Sequence, residues 1–218
     1  MKSFYIVISS LLVCSLLAFI EHGIEINYLI KTGFKIGLFF LVIWTYIQLF
    51  KDFRFKHPVS IHKMVKKEWI RVIALGVSSA VIVLLAYILL QPVLDMAKIK
   101  EDLVERLGIT KTGFLFVGLY ISLGNSFLEE YFFRGFIFFN LPRRLGYIYS
   151  PLLFSAYHIP MIMLWFSSVL IIVCFIGLWL VGLLFHKVNE KNGTIWASWV
   201  IHICADIIII LIGTTLFY

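Results

Sequence analysis

Long apolar runs recur along almost the whole chain, and they constrain its fold more than any other feature. Runs of about 18 or more apolar residues are typical of membrane-spanning helices, because a helix needs about 20 residues to cross the hydrocarbon core. Only 14% of the residues are charged, whereas soluble domains carry about a quarter. The sequence therefore predicts an all-α, polytopic transmembrane helical bundle with about seven to eight spans.

The apolar runs can be placed approximately along the chain. They occupy residues 4–20, 34–50, 72–91, 114–140, 147–166, 167–185 and 194–217. The fourth run is long for one straight helix, so we expect it to tilt, kink or begin in the interface. The first run follows Met-Lys-Ser as in a signal peptide, but no small-x-small cleavage site precedes Glu21, and we predict a retained span. The three cysteines fall inside these runs and are expected to be packing residues rather than disulfide partners.

Part of the net charge of +7 is concentrated between the second and third runs. The basic residues there are Lys51, Arg54, Lys56, Lys63, Lys66, Lys67 and Arg71. Basic loops of membrane proteins stay in the cytoplasm, which predicts a cytoplasmic N-terminus. Such a loop also meets anionic lipid, so we expect the lipid bilayer as a partner and no nucleic acid. The expected location is a cell membrane, and the small cation-rich chain favours a bacterial one.

Away from the ends of the apolar runs, six acidic, basic or histidine residues lie inside them, where a charge costs at least about 2.5–3.5 kcal/mol. They are Glu129, Glu130 and Arg134 in the fourth run, His158 in the fifth, and His202 and Asp206 in the seventh. Glu130 lies 13 residues from Arg143, and His158 and His202 each lie 11 residues from Tyr147 and Lys191, so all three share a depth of roughly 16–20 Å from the cytoplasmic surface. Such residues must face the bundle interior and find partners. The sequence therefore predicts that three helices bring them to one site.

Helical spacing gives the two adjacent glutamates different surroundings. Glu130 precedes Arg134 by four residues, which is the favourable order for an ion pair on one helix face. Glu129 points about 100° away from Glu130 and aligns with Asn125. Glu129 is therefore predicted to remain available for chemistry.

Three short motifs follow one another in separate apolar runs. They are Glu129-Glu130-x-x-x-Arg134, Phe154-x-x-x-His158 and His202-x-x-x-Asp206. Together they resemble the motifs of the CPBP intramembrane proteases, also called the Abi or CAAX-protease-and-bacteriocin-processing family. The resemblance implies that Glu129 and His158 activate a water molecule, that His202 and Asp206 stabilise the oxyanion, and that Glu130 and Arg134 support the glutamate helix.

The same resemblance implies two regions and a class of substrate. Residues 1–113 would supply N-terminal transmembrane helices and the basic cytoplasmic loop, and residues 114–218 would form the catalytic transmembrane core. The expected substrate is a peptide or membrane protein, and the implied biology is CAAX-type processing, bacteriocin immunity or peptide maturation.

Position 206 departs from the family pattern, in which the third motif often ends in Asn. An ionised aspartate cannot donate a hydrogen bond to an oxyanion. Asp206 is therefore expected either to be protonated by burial or to hold the imidazole of His202, which it follows by four residues.

Two mechanisms are compatible with the resemblance. In a metal-free hydrolase, Glu129 takes a proton from water as general base, and His202 supports the developing charge. In a metalloprotease, Glu129, His158 and His202 ligate zinc. The chain has no HExxH motif; the metal-free version is favoured, and zinc is the alternative cofactor.

Two other classes of function stay open at this point. A proton- or ion-coupled transporter or channel subunit would use the same carboxylates and histidines as a relay, although the sequence lacks the internal repeat that is common in transporters. A catalytically silent membrane scaffold would instead bind its partner through the spans.

Overall fold

The computed structural model describes residues 1–24, 26–53, 56–60 and 65–218, and within these ranges it contains helices and no strands. The helices are α1 (Lys2–Gly23), α2 (Tyr28–Phe50), α3 (Lys66–Leu90), α4 (Met96–Arg106), α5 (Lys111–Phe138), α6 (Arg143–Trp165), α7 (Ser168–Asn192) and α8 (Trp196–Phe217). A short 3₁₀ turn, Gln91–Val93, extends α3.

The predicted all-α polytopic bundle is confirmed. Among the described residues, six helices are long and apolar enough to span a membrane, and the bent pair α4–α5 raises the number to seven. An eighth span is not found within those ranges. The bend between α4 and α5 is 92°, and the connection between them contains Gly108 at φ +68, a conformation that favours glycine.

Several helix boundaries differ from the predicted ones because capping groups and turns decide where a helix ends. The second helix begins at Tyr28, six residues early, since the Asn27 side chain accepts a hydrogen bond of 3.0 Å from the Ile30 backbone N–H. The sixth span continues to Asn192, where Gly193 ends it at φ +66. Three predicted loop residues, Lys66, Lys67 and Arg71, lie on α3 instead. Arg54 and Lys63 lie outside the described residues.

The helix α5 is not a regular α-helix. Its segments Tyr120–Asn125 and Glu130–Phe138 are π-helical, and a single α-helical turn, Ser126–Glu129, separates them. The π-helix is rare and occurs frequently at functional sites. The adjacent glutamates thus sit on either side of a junction between two helix types.

An aromatic core joins α1, α2, α5 and α6. Phe39 of α2 stacks on Phe132 of α5 with ring centroids 3.8 Å apart, and Tyr46 meets the edge of Phe136 at 5.2 Å. Phe133 in turn contacts Phe154 of α6 at 5.3 Å. These rings are all buried, and they fix α5 between the N-terminal helices and α6.

A polar belt joins four helices at one end of the bundle. Glu21 of α1 accepts hydrogen bonds from Lys31 of α2 at 3.2 Å and from Arg106 of α4 at 2.7 Å. Arg106 also binds Asp102, whose carboxylate accepts a hydrogen bond of 2.9 Å from the Trp165 indole at the end of α6. The belt holds the bent helix α4 against the bundle.

The helix α3 packs mainly against α8. A cluster of Val72, Phe185, Ala197 and Ile201 fills the contact. The remaining surface of α3 exposes apolar side chains, among them Ile73, Val77, Val81 and Ile88. Such a continuous apolar face is typical of contact with lipid.

The close approach of α3 and α8 requires glycine at position 76. A Cβ atom there would lie 2.8 Å from the Cys204 sulfur, so Gly76→Leu must push the helices apart. We expect the substitution to destabilise the protein by about 1–3 kcal/mol, as overpacking does, and to lower the midpoint of thermal unfolding in detergent. Gly177→Leu is the matched control, because a Cβ at that helical glycine meets no atom within 4 Å. Equal midpoints for the two variants would contradict the prediction.

Candidate active site

The two adjacent glutamates of α5 are buried and face different partners. Glu129 is 2% exposed and Glu130 is 0% exposed. Glu129 lies beside α2 and α6, and Glu130 lies beside α8. The two glutamates therefore have different partners, as predicted, and the roles assigned to them stay predictions.

The two oxygens of Glu129 have unequal surroundings. Its Oε1 accepts a hydrogen bond of 2.9 Å from the Asn125 amide and one of 3.4 Å from the Tyr157 hydroxyl. Its Oε2 is buried, has no hydrogen-bond donor among the described residues, and lies 3.5 Å from His158 Nε2. The Asn125–Glu129 hydrogen bond confirms the alignment predicted from their spacing.

The orientation of His158 follows from its own backbone. Its Nδ1 lies 2.7 Å from the Phe154 carbonyl oxygen, which can only accept, so Nδ1 carries the hydrogen. In the neutral ring the Nε2 atom is then an acceptor. With a neutral imidazole, His158 Nε2 and Glu129 Oε2 are therefore two acceptors that face each other across 3.5 Å.

Glu130 joins Arg134 to His202. Its Oε1 accepts a hydrogen bond of 2.9 Å from Arg134 Nη1 and one of 3.1 Å from His202 Nδ1. The guanidinium is fully buried and lies 4.0 Å from the Phe154 ring centroid and 4.9 Å from that of Phe185. The predicted Glu130–Arg134 pair is confirmed, and its carboxylate also orients a histidine from another helix.

Asp206 lies beside His202 but does not form a hydrogen bond with it. The distance from Asp206 Oδ1 to His202 Nε2 is 3.8 Å, longer than a hydrogen bond. Its Oδ2 is buried without a partner among the described residues. Glu130 binds the imidazole of His202 at Nδ1. It lies closer to this ring than Asp206, for which the orienting role was predicted.

Two further charged or titratable residues inside helices were not predicted from the sequence. Lys35 was placed at the end of a span, but α2 begins seven residues before it, and its Nζ contacts the Asn125 side-chain oxygen and lies 3.7 Å from Glu129 Oε1. His186 also lies within a helix, fully buried, stacked 4.0 Å from Phe138. A signal for Lys35 was available, since Asn27 is a good helix cap.

The predicted zinc ligands were compared with the requirements of a metal site. In the described ranges, no group of three or more His, Cys, Asp or Glu side chains is arranged to hold a metal ion. Two of the three residues named for zinc, Glu129 and His158, face each other, whereas His202 is bound to Glu130. This arrangement does not fit a three-ligand metal centre.

Residues 111–208 match the family model of the type II CAAX prenyl endopeptidase Rce1-like proteins. This stretch, called the Rce1-like region below, is similar to that family. The match bears out the resemblance to the CPBP intramembrane proteases. No curated protein and no solved structure matches the chain significantly.

The Rce1-like region contains all six residues that the sequence analysis singled out within spans. The structure brings them into two contiguous groups, Glu129 with His158, and Glu130 with Arg134, His202 and Asp206. Side chains of α5, α6 and α8 meet in these groups, and a common site for all six residues stays a prediction. Lys35 belongs to α2 and lies outside the matched residues.

Proposed function

We propose that the chain is an intramembrane endopeptidase that hydrolyses a peptide bond with a water molecule activated by Glu129 and His158. The observation that carries the proposal is the 3.5 Å separation between Glu129 Oε2 and His158 Nε2, two atoms that both accept hydrogen bonds when the imidazole is neutral. A water molecule has two hydrogens, and it can donate one to Glu129 Oε2 and one to His158 Nε2. Both the position and the orientation of the nucleophile would then be set by residues of two helices.

Glu129 carries the transferred proton through the proposed reaction. Glu129 accepts a proton from the water while the water oxygen attacks the carbonyl carbon, giving a tetrahedral intermediate with a negative oxygen. The intermediate collapses as the carbon–nitrogen bond breaks, and Glu129 returns the proton to the leaving nitrogen. The products are an amine and a carboxylic acid, which loses its proton to solvent or to the amine, and no further reactant is consumed.

His202 is proposed to stabilise the oxyanion. Carboxylates flank its ring at both nitrogens, Glu130 at 3.1 Å from Nδ1 and Asp206 at 3.8 Å from Nε2. This arrangement suits an imidazolium, which carries a hydrogen on each nitrogen. With Nδ1 bound to Glu130, the Nε2–H is the donor that would meet the developing negative charge. Asp206 then supports the charge of the ring rather than donating a hydrogen bond itself.

The proposed substrate is a membrane-associated peptide of the CAAX type. The support is the family description, type II CAAX prenyl endopeptidase. The proposed topology keeps the N-terminus in the cytoplasm, as the positive-inside rule predicts for the basic residues between α2 and α3. Residues 1–113 and 114–218 are proposed as the N-terminal and catalytic regions.

Cleavage is tested with the purified full-length protein in lipid nanodiscs and a farnesylated Cys-a-a-X peptide. We expect two fragments whose masses together equal the peptide plus one water. We also expect the rate to change less than about twofold after treatment with EDTA or 1,10-phenanthroline, because no metal takes part in the proposed steps.

One control and two contrary outcomes complete the test. A zinc metalloprotease treated alongside must lose its activity in the same chelators. A chelator-sensitive rate that zinc restores would overturn the metal-free mechanism and leave the peptidase assignment standing. Ion flux in proteoliposomes without any peptide fragment would favour the transporter alternative and overturn the peptidase assignment.

A further inference from the structure

We propose that Lys35 of α2 is a positioning residue, which holds the Glu129 carboxylate through Oε1 so that Oε2 faces His158. The proposal rests on the proposed function, since it assigns a role at the same site. The proposal concerns a different part of the chain, because Lys35 lies outside residues 111–208, where the family match is found.

Lys35 reaches Glu129 by two connections. Its ammonium lies 3.7 Å from Glu129 Oε1, which is an ion-pair distance across two helices. It also contacts the Asn125 side-chain oxygen, and the Asn125 amide nitrogen donates a hydrogen bond of 2.9 Å to the same Oε1. One helix thus supports the carboxylate both directly and through a side chain of α5.

The chemistry of lysine sets the orientation of Asn125. An ammonium can only donate, so the amide oxygen of Asn125 must face Lys35 and the amide nitrogen must face Glu129. The carboxylate, which can only accept, favours the same orientation of the amide. Lys35 therefore reinforces the orientation in which the Asn125 nitrogen donates to Glu129.

The charges of the described site support the same role. Its carboxylates are Glu129, Glu130 and Asp206, and its lysine and arginine side chains are Lys35 and Arg134. Arg134 binds Glu130 at 2.9 Å, and Lys35 is the basic side chain that pairs with Glu129. The Lys35 side chain is 17% exposed and that of Glu129 is 3% exposed, a setting in which a charged group needs a partner.

The packing of α2 explains how a residue outside the matched region can act on the site with fixed geometry. Phe39 lies one helical turn after Lys35, and Phe132 lies three residues after Glu129. Their rings stack with centroids 3.8 Å apart. The ring stack and the ion pair hold the same two helices. Removal of Lys35 would leave the helices packed and release only the carboxylate.

The test compares Lys35→Met with Lys31→Met in the peptide-cleavage assay. Lys31 is the matched control, since it lies one turn earlier on α2 and pairs with Glu21 at 3.2 Å, away from Glu129. We expect Lys35→Met to lower kcat about 10- to 100-fold, as small displacements of catalytic groups do, with KM within about twofold. Lys31→Met is expected to keep kcat within about twofold.

Two further readouts separate a positioning role from a structural one. Lys35→Arg keeps a cation and is expected to restore kcat to within about fivefold of the original protein. In a Glu129→Gln background, Lys35→Met is expected to have no additional effect on the residual rate, because Lys35 acts through the carboxylate that is already gone. If Lys35→Met is not recovered folded, Lys35→Gln takes its place with the same expectations.

Failure of this proposal is distinguishable from failure of the proposed function. An unchanged kcat in Lys35→Met, or an equal loss in Lys31→Met, would overturn the role of Lys35 while Glu129→Gln still abolished cleavage. Additive losses in the double variant would also overturn it. Full activity in Glu129→Gln would overturn the proposed function itself.

Discussion

Replacing Glu129 by glutamine is expected to lower the rate of peptide hydrolysis by about 10²- to 10⁴-fold, the contribution typical of a general base. Glutamine keeps the size of the side chain and an oxygen that can accept from Asn125 or Tyr157, which lie 2.9 and 3.4 Å from Glu129 Oε1. It cannot take a proton from water at neutral pH. The loss should therefore appear in kcat, measured with the farnesylated peptide, while KM stays nearly constant.

The matched control for that substitution is Glu105→Gln. Glu105 lies on α4 and is exposed, so its change to glutamine removes one negative charge without touching the site. We expect its rate to stay within about twofold of the original protein, as for most surface substitutions. Comparable thermal unfolding midpoints for both variants would show that the loss is chemical. Cleavage at the original rate by Glu129→Gln would refute the proposed mechanism.

Replacing Arg134 by methionine is expected to destabilise the protein by about 3–5 kcal/mol, the usual effect of removing one partner of a buried ion pair. Arg134 and Glu130 are both 0% exposed and 2.9 Å apart, so the substitution leaves a carboxylate without its cation. The Phe154 and Phe185 rings would also lose their cation contacts at 4.0 and 4.9 Å. Thermal or denaturant-induced unfolding in detergent measures the effect.

The double variant Glu130→Gln with Arg134→Met tests the cause of that instability. Replacing both partners removes the uncompensated charge, so we expect the double variant to be more stable than Arg134→Met alone. Arg144→Met serves as the control, since Arg144 is exposed at the start of α6, and its unfolding midpoint should barely change. A double variant less stable than Arg134→Met would show that packing, rather than charge, is the dominant contribution of Arg134.

The pairing of groups along one helix could be predicted from spacing. Glu130 and Arg134, and likewise Asn125 and Glu129, are four residues apart, and each pair forms the expected contact at 2.9 Å. The prediction succeeded because it needs only local helix geometry. It did not foresee the π-helical segments of α5, since their hydrogen bonds depend on the packing of the whole helix rather than on a sequence signal.

The contacts between helices were only partly predictable. Burial of a charge in a membrane requires a partner, which was enough to predict that His158 and His202 meet the glutamates. Which histidine meets which glutamate depends on the rotation of each helix about its axis. Lys35 was overlooked for a related reason, because a boundary error of six residues moved it from inside α2 to the predicted end of a span.

The apolar runs and the few ionisable residues within them were sufficient to determine an all-α membrane bundle and the helices that carry its polar site. Both follow from solvation, since hydrocarbon rejects unpaired charges and open backbone groups wherever they lie in the chain. Only the tertiary structure decided that Glu130, rather than Asp206, holds His202 and that a lysine from α2 reaches Glu129. Those contacts depend on helix rotations and side-chain packing, which no local pattern in the sequence encodes.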